Sequence, residues 1–227
     1  YGAIIGQIKD ASDGTEDGNI GFWGRGSGTL WKAAEVERWR LKAPYTSLYP
    51  NWLATTSASN SATLSLEGYM SGVYEIFDVF IENLMPVSND VYCLLRLGSG
   101  GTYTTSGYGY YNVHAGTRTS DSAQTDGRAN ANGSAWVVSG QSEMNVGNET
   151  DEGFTAHIRL FNTRNNNFLT GGEVIGGAYY SVDNYMCSPY ISALRLGSTT
   201  QFTDVRVYFS SGNIDSGSIH LFGYYMG

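Results

Sequence analysis

The sequence predicts an all-β protein, and three observations support that fold class. Charged residues make up only 15% of the chain, against about 25% in a typical domain. Glycine and tyrosine are abundant, with 30 and 17 copies among 227 residues. Near the C-terminus, two runs with an apolar residue at every second position flank a cluster of Ser, Gly, Asn and Asp. Short strands joined by polar turns explain these features, because successive side chains of a strand point to opposite faces.

The C-terminal pair of runs is the clearest structural signal. Val205, Val207 and Phe209 share one face of the first run, and Ile219 and Leu221 share one face of the second. The residues between the runs belong to types that tolerate the positive φ angles of tight turns. We therefore predict a hairpin, which we interpret as the closing pair of a β-sandwich.

The chain divides into three segments. Residues 1–43 differ in character from the rest, and Pro44, Pro50 and a Ser/Thr/Ala/Asn run indicate a linker over residues 44–61. Residues 62–227 alternate strands and turns at regular spacing, which predicts a C-terminal β-sandwich of jelly-roll-like type.

Strands are predicted in both domains. In the first segment Thr29–Leu41 is the serious helix candidate, but its alternation also fits a strand, which we favour. The strands predicted in the C-terminal domain are Thr63–Tyr69, Val73–Leu84, Val91–Gly98, Gly107–Ala115, Ser134–Val138, Glu143–Gly147, Gly153–Phe161, Gly172–Tyr180, Tyr190–Leu196, Val205–Phe209 and Ser218–Tyr224.

Charge and cysteine usage exclude several classes of partner. The net charge is −8, so nucleic acid would be repelled, and no Lys/Arg cluster offsets this. No apolar run approaches the roughly 20 residues that span a membrane as a helix. We expect neither a nucleic-acid partner nor membrane insertion. Cys93 and Cys187 are too few for a disulfide framework, and Cys93, inside an apolar run, is interpreted as a buried free thiol.

No complete metal or catalytic motif is present. His114, His157 and His220 are far apart in the sequence, and the acidic segments 10–17 and 148–152 are interpreted as solvated turns rather than calcium sites. We expect no metal and no cofactor.

A glycosidase needs two carboxylates about 5–9.5 Å apart. Asp78, Glu82, Glu143 and Glu173 are candidates that the sequence cannot pair. No nucleophile elbow and no solenoid repeat is visible. We expect a protein that is not an enzyme, and a polysaccharide depolymerase is the alternative from a different class.

Ligand recognition is better supported than catalysis. Tyrosine offers a large rigid face at low entropic cost, and Ser, Gly and Asn offer adaptable hydrogen bonds. Aromatic faces also stack on the C–H surfaces of sugars, and a nearby Asp or Asn can bond to hydroxyl groups. The residues predicted to bind a receptor on this basis are Tyr103, Tyr108, Tyr110, Tyr179, Asp183, Asn184 and Tyr185. The alternative is that these tyrosines fill a core or a subunit interface.

The first forty residues resemble a known family. Asp13–Gly18 reads DGTEDG, Gly28–Leu30 reads GTL and Glu37–Leu41 reads ERWRL, and the spacing between the motifs matches as well. The segment resembles one that recurs in tail-fibre proteins of tailed bacteriophages, where such strands build a trimeric shaft. The resemblance implies a short intertwined β shaft or attachment segment over residues 1–43.

A second resemblance covers most of residues 75–224. The runs FDVFIENLMPVSND, HIRLFNTRNNN and FSSGNIDSG are similar to the globular modules that cap many phage fibres. This implies a fibre-tip sandwich that binds the host. Residues 99–150 and 163–188 follow no pattern of those modules, and host specificity is expected to vary there.

Together the resemblances imply a virion protein, the distal part of a homotrimeric tail fibre that binds a host surface receptor, a glycan or a protein. The N-terminal segment would contact other virion proteins, and assembly would take place in the bacterial host cytoplasm. A capsid decoration or head-fibre protein is the alternative. The trimer has one physical support, since forty residues of short strands cannot bury their large apolar side chains alone. The residues predicted at the trimer interface are Ile4, Ile8, Phe22, Trp31 and Trp39.

Overall fold

The protein forms two compact units, one over residues 1–49 and one over residues 50–226. The computed structural model describes residues 2–10, 17–26, 29–37, 40–42, 50–70, 74–118, 124–139, 145–150, 152–164, 167–180 and 185–225. Every regular element in these ranges is a strand, which confirms the predicted all-β fold class. Within the same ranges no helix is long and apolar enough to cross a membrane.

The N-terminal unit is one antiparallel sheet of four strands. In order across the sheet these are β1 (Gly2–Asp10), β2 (Asp17–Gly26), β3 (Thr29–Glu37) and β4 (Arg40–Lys42). The segment after Gly28 is therefore a strand, as favoured, and not a helix. Trp39, which the sequence assigns to the trimer interface, lies outside the described residues.

The register of this sheet brings the other predicted interface positions to one face. Ile4 pairs with Phe22, and Gly24, two positions further along β2, pairs with Trp31. Ile8 follows Ile4 by four positions with regular pairing between them. Paired residues share a face, and so do residues two apart along a strand. The four positions therefore lie on the same face, while the trimer itself stays a prediction.

The C-terminal unit is a β-sandwich of two antiparallel sheets. In chain order its strands are β5 (Asn51–Ser57), β6 (Leu64–Leu66), β7 (Tyr74–Pro86), β8 (Cys93–Ser99), β9 (Thr102–Tyr103), β10 (Tyr108–Arg118), β11 (Gln124–Gly133), β12 (Trp136–Val137), β13 (Gly153–Phe161), β14 (Gly171–Tyr180), β15 (Tyr185–Leu196), β16 (Asp204–Phe209) and β17 (Ile214–Tyr225). The larger sheet has the order β11-β10-β15-β14-β13-β7-β17-β5. The smaller sheet has the order β12-β8-β16-β6, and β9 pairs with β8. The predicted sandwich is confirmed, and its jelly-roll topology stays a prediction.

The core lies between the two sheets and is filled mainly by alternate residues of strands from both sheets. Phe77 and Val79 enter it from β7 of the larger sheet, and Leu95 and Leu97 enter it from β8 of the smaller sheet. Cys93 is also fully buried and free, and burial raises the pKa of its thiol. The interpretation of this cysteine as a buried free thiol is therefore confirmed.

The predicted C-terminal hairpin is wrong. β16 pairs with β6 and β8 in the smaller sheet, whereas β17 pairs with β5 and β7 in the larger sheet. Both strands bury an apolar face in the same core from opposite sides, so their alternation looks like that of a hairpin. Residues 210–213 cross between the sheets, with Gly212 at a φ of 71°. The β7–β8 connection crosses beside them, since the Val87 amide donates to the Asn213 carbonyl at 2.9 Å.

Three further segments differ from the sequence interpretation. Residues 51–57, placed in the linker, form β5 at the edge of the larger sheet. Residues 116–133, placed in a loop, extend β10 and contain its hairpin partner β11. Where a strand over 143–147 is predicted, the described residues show an isolated bridge between Val146 and Val91. Polar and glycine-rich composition conceals β5 and β11, because edge strands need little apolar surface.

Candidate functional site

The larger sheet carries a row of side chains on its outer face, away from the core. Thr55, His220, Phe80, His157 and Ile175 pair in turn across β5, β17, β7, β13 and β14. Each of them adjoins a buried residue along its strand, so the row faces solvent. Phe80 is 37% exposed and Ile175 is 53% exposed. The row therefore presents apolar surface to solvent, which marks a candidate binding site.

An open groove of about 610 Å³ runs along this row. Phe80, Phe222 and Ile175 supply most of its apolar side-chain surface, and Glu82, Thr155, His157 and His220 supply its polar groups. The rings are held in place by one another. Phe80 and His157 are stacked with centroids 4.4 Å apart and planes 3° apart, and Phe222 meets Phe80 edge-on at 5.4 Å.

A β-bulge shapes the end of the groove where Glu82 and Thr155 lie. The pairing of β7 with β13 shifts register here, and Asn83 has a φ of 48°. The Asn83 amide donates to Thr155 Oγ1 at 3.2 Å. Gly217 of β17 passes so close that a Cβ there would lie 2.4 Å from the Asn83 carbonyl oxygen, so only glycine fits. The bulge thus depends on this glycine.

A chain of hydrogen bonds orients His220, which lies on β17 beside Glu82 of the neighbouring strand β7. The Trp52 indole N–H donates to Thr55 Oγ1 at 3.0 Å, and Thr55 Oγ1 lies 2.9 Å from His220 Nδ1. His220 Nε2 lies 3.0 Å from a carboxylate oxygen of Glu82. The neutral tautomer with its hydrogen on Nε2 satisfies all three contacts, because the threonine hydroxyl then donates to Nδ1.

Asp78 anchors the other imidazole. It is fully buried although it belongs to the outer face, because neighbouring side chains cover it. Arg159 donates to its two oxygens at 2.8 and 2.9 Å, and the Tyr224 hydroxyl donates at 2.6 Å. His157 Nε2 lies 2.9 Å from Asp78 Oδ2. The carboxylate therefore lies at ion-pair distance from the imidazole that stacks on Phe80.

Electrostatics keep this carboxylate ionised. Burial by itself would raise the pKa of Asp78, but the hydrogen bonds from Arg159, Tyr224 and His157 outweigh burial, and the pKa is lowered. The same bonds raise the pKa of the Arg159 guanidinium. Burial, and then Asp78 itself, raise the pKa of Tyr224. At neutral pH the cluster is an ionised support beneath one wall of the groove.

Two of the tyrosines predicted to bind a receptor are core residues. Tyr108 is fully buried, its hydroxyl bonds to the backbone N–H and C=O of Leu97, and burial raises its pKa to about 12. Tyr110 is 5% exposed. Neither ring reaches a surface that a receptor could contact, so the alternative, a core role, is correct for both.

Of the remaining predicted receptor residues, Tyr103 lies apart from Tyr179 and Tyr185. Tyr103 lies in β9, which belongs to the smaller sheet, and its hydroxyl donates to Glu67 at 3.0 Å. Tyr179 and Tyr185 lie near the ends of β14 and β15 in the larger sheet. Asp183 and Asn184 lie outside the described residues. Tyr179 and Tyr185 are neighbours across β14 and β15, because Tyr179 pairs with Met186 and Tyr180 pairs with Tyr185, whereas Tyr103 belongs to the other sheet.

Sequence reasoning missed the groove, although a signal for it was present. In β7, Phe80 lies on the solvent-facing side of the strand, where an alternating strand normally has polar residues, between the core residues Val79 and Ile81. His220 and Phe222 occupy the corresponding phase of β17. A large aromatic residue in the polar phase of a strand indicates an exposed contact surface, because the core does not need it there.

Of the carboxylates considered for catalysis, Glu143 lies outside the described residues, and the described ones do not form a free pair in this groove. Asp78 is engaged by Arg159, and Glu82 is the one carboxylate among the lining residues. Within the described ranges no three His, Cys, Asp or Glu side chains are grouped as a metal site. The arrangement provides contacts for a ligand rather than a complete set of reacting groups.

The fold and the site together define a two-sheet β-sandwich with an aromatic, partly polar groove on an open sheet face. No protein-family model, no curated protein and no solved structure matches this chain.

Proposed function

We propose that this chain is the distal part of a trimeric tail fibre of a tailed bacteriophage, and that its C-terminal sandwich binds a host surface glycan in the outer-face groove. The virion role is supported by the two sequence resemblances. Glycan binding is supported by one observation, a wall of stacked rings beside a carboxylate and two imidazoles on an exposed sheet face.

The groove has the mixed character that a sugar ring requires. The C–H faces of a sugar are apolar and fit against Phe80, Phe222 and Ile175, while its hydroxyl groups both donate and accept hydrogen bonds. Glu82 accepts such bonds, and the Thr155 hydroxyl both donates and accepts. Mostly apolar lining with a few convergent polar groups is the usual composition of a ligand site.

The groove is also organised before any ligand arrives. Stacking holds Phe80 against His157, Asp78 holds His157, and Thr55 with Glu82 holds His220. Side chains that are already ordered lose little entropy on binding, so a shallow site can still bind measurably.

Binding is favoured over cleavage. Hydrolysis of a glycosidic bond needs two free carboxyl groups about 5–9.5 Å apart. Glu82 is 62% exposed and available, whereas Asp78 is buried under Arg159. We therefore propose adhesion, without turnover of the bound glycan.

The N-terminal sheet supports the trimer. Ile4, Ile8, Phe22 and Trp31 lie on one face by register. Four short strands cannot cover an apolar face by themselves, and partner chains would cover it. Sedimentation of the full chain at micromolar concentration should give about 74 kDa, three times the 24.6 kDa of one chain. A 24.6 kDa monomer would contradict the fibre assignment. Immunogold labelling of particles separates a tail from a capsid position.

An array of bacterial surface polysaccharides tests the glycan site. Phe80→Ala should weaken binding by about tenfold, because it removes a large apolar contact. Phe168→Ala is the matched control, since Phe168 is 62% exposed but does not line the groove. Thermal unfolding confirms that both variants are folded. Absence of binding across the array, or equal binding by the two variants, would refute the proposal.

A further inference from the structure

The outer face of the smaller sheet carries two arginines side by side. Ser65, Arg206 and Arg96 pair in turn across β6, β16 and β8. Directly opposed residues of neighbouring strands have Cβ atoms about 5 Å apart, and like charges at that distance destabilise a sheet. The protein nevertheless places two permanent positive charges there, within a chain of net charge −8.

The two guanidinium groups are held by contacts that leave their outer N–H groups available. Arg206 Nε donates to Ser65 Oγ at 2.9 Å, and Arg96 Nε donates to the Ser134 carbonyl at 2.9 Å. Arg206 lies over the Tyr103 ring at 3.7 Å, and Arg96 lies over the Tyr208 ring at 5.0 Å. Stacking and Nε bonding fix the planes of both groups, while the Nη atoms remain for another partner.

Carboxylates compensate this charge only in part. Glu67 is 48% exposed, and its oxygen lies 3.6 Å from Arg206 Nη2, which is longer than a good charge-assisted hydrogen bond. The same oxygen of Glu67 already accepts the Tyr103 hydroxyl at 3.0 Å. In the described part of the chain, Arg96 forms no ion pair.

We propose that Arg96 and Arg206 form a binding site for an oxyanion group, the carboxylate or phosphate of an acidic saccharide. Each planar guanidinium group matches the geometry of such a group and offers several N–H donors, and the direct pairing of Arg206 with Arg96 places the two residues side by side on neighbouring strands. Glu67 occupies part of this site in the free protein and competes with the ligand. The site lies on the opposite sheet from the groove, so it is independent of glycan binding there.

Ligand-observed NMR with the full chain tests the site. For a carboxylate ligand, glucuronate should give saturation-transfer signals and neutral glucose at the same concentration should not. For a phosphate ligand, the 31P line of inorganic phosphate should broaden. Titration with each ligand gives its affinity, and the ligand with the higher affinity identifies the oxyanion. Arg96→Gln and Arg206→Gln should each weaken binding about tenfold or more, because each removes charge-assisted bonds. Arg195→Gln is the matched control, because it removes one exposed positive charge on the larger sheet.

Glu67→Gln keeps the acceptor for Tyr103 but removes the competing charge, so it should tighten binding severalfold, a gain that misfolding cannot produce. Binding of neither oxyanion by the wild type would overturn the proposal. So would equal losses in Arg96→Gln and Arg195→Gln, or weaker binding by Glu67→Gln.

Discussion

Replacing Arg159 with methionine tests the electrostatic support of the groove. Arg159→Met preserves most of the volume and the apolar stem of the side chain, but it removes both donors to Asp78. Asp78 then remains fully buried with the Tyr224 hydroxyl as its main remaining donor. A buried carboxylate without its cation is the costly state.

The size of the loss follows from the exposure of the two partners. Removing one partner of a buried ion pair costs about 3–5 kcal/mol. The Arg159 side chain is 34% exposed, so solvent already screens part of the attraction, and Tyr224 remains bonded to Asp78. We expect a decrease of about 2–3 kcal/mol in the free energy of unfolding at pH 7.

The loss should shrink in acid. In the wild type the pKa of Asp78 is lowered from its usual value of 3.8, so its stabilisation is complete above that value and is lost as the pH falls through the folded-state pKa. In Arg159→Met burial is no longer outweighed, so the pKa of Asp78 rises above that of the wild type. Protonation of Asp78 then removes the unpaired buried charge, so the stability difference between the variant and the wild type decreases as the pH falls from 7 towards 4.

Urea unfolding at fixed chain concentration measures both effects, because any oligomer makes stability depend on concentration. Tryptophan fluorescence reports on the transition, and Trp136, which is fully buried in the core of the sandwich, contributes to it together with the four other tryptophans of the chain. Arg195→Met, on an exposed position of the larger sheet, controls for loss of charge. A decrease below about 1 kcal/mol at pH 7, or an equal decrease at pH 7 and pH 4, would refute the electrostatic interpretation.

Three further substitutions test local features of the sandwich by the same unfolding measurement. Gly217→Ala should cost at least about 2 kcal/mol, because a φ of 101° is combined with a Cβ contact of 2.4 Å to the Asn83 oxygen. Gly68→Ala is the control, because Gly68 also has a positive φ, 77°, but no atom lies within 4 Å of the new Cβ. It should cost only about 1 kcal/mol. Equal costs of Gly217→Ala and Gly68→Ala would contradict the steric explanation. Asp204→Ala should cost about 2–3 kcal/mol, because the buried Asp204 accepts the backbone N–H groups of Gly68 and Gly101 at 2.8 and 2.7 Å. Burial would raise the pKa of Asp204, but these hydrogen bonds outweigh burial and lower it. The wild type should therefore lose this stabilisation below about pH 4, whereas Asp204→Ala should not. A parallel loss of stability in the variant would argue against the role of Asp204.

The two sheets of the sandwich present different chemistry to solvent. The larger sheet exposes Phe80 and Ile175 in the groove, whereas the smaller sheet exposes Arg96 and Arg206 over tyrosine rings. The apolar face would suit sugar rings and the cationic face would suit acidic groups, at two separate sites. The array and NMR experiments address these two faces separately.

The sequence predicted the existence and the buried face of most strands. Val79 and Ile81 flank the exposed Phe80, Val205 and Val207 flank the half-buried Arg206, and all four valine and isoleucine residues are core residues in the structure. Alternation is a local property of the chain, since it depends only on which side of a strand meets the core. The burial of Cys93 could be predicted for the same reason, because the apolar run around it is also a local property of the sequence.

Strand pairing and the site could not be recognised in this way. Ser, Gly and Asn residues suit a hairpin turn and a crossing between sheets equally well, so residues 210–213 did not reveal that β16 and β17 separate. The groove depends on residues far apart in sequence, with Phe80, His157 and His220 brought together across three strands. The local sequence around Tyr108 and Tyr110 resembles that around surface tyrosines, and only packing between the sheets makes the two residues part of the core.

The amino-acid sequence by itself determined that this chain is an all-β protein, which faces of its strands are buried, and that it is acidic and lacks long apolar segments. The tertiary structure alone decided which strands pair, which sheet each strand joins, and which polar-phase side chains meet on an open face. The physical reason is that burial preference is encoded residue by residue. Strand pairing, in contrast, depends on contacts between residues far apart in the sequence. Many strand edges could pair, and the packing of the whole sandwich selects the pairs that form.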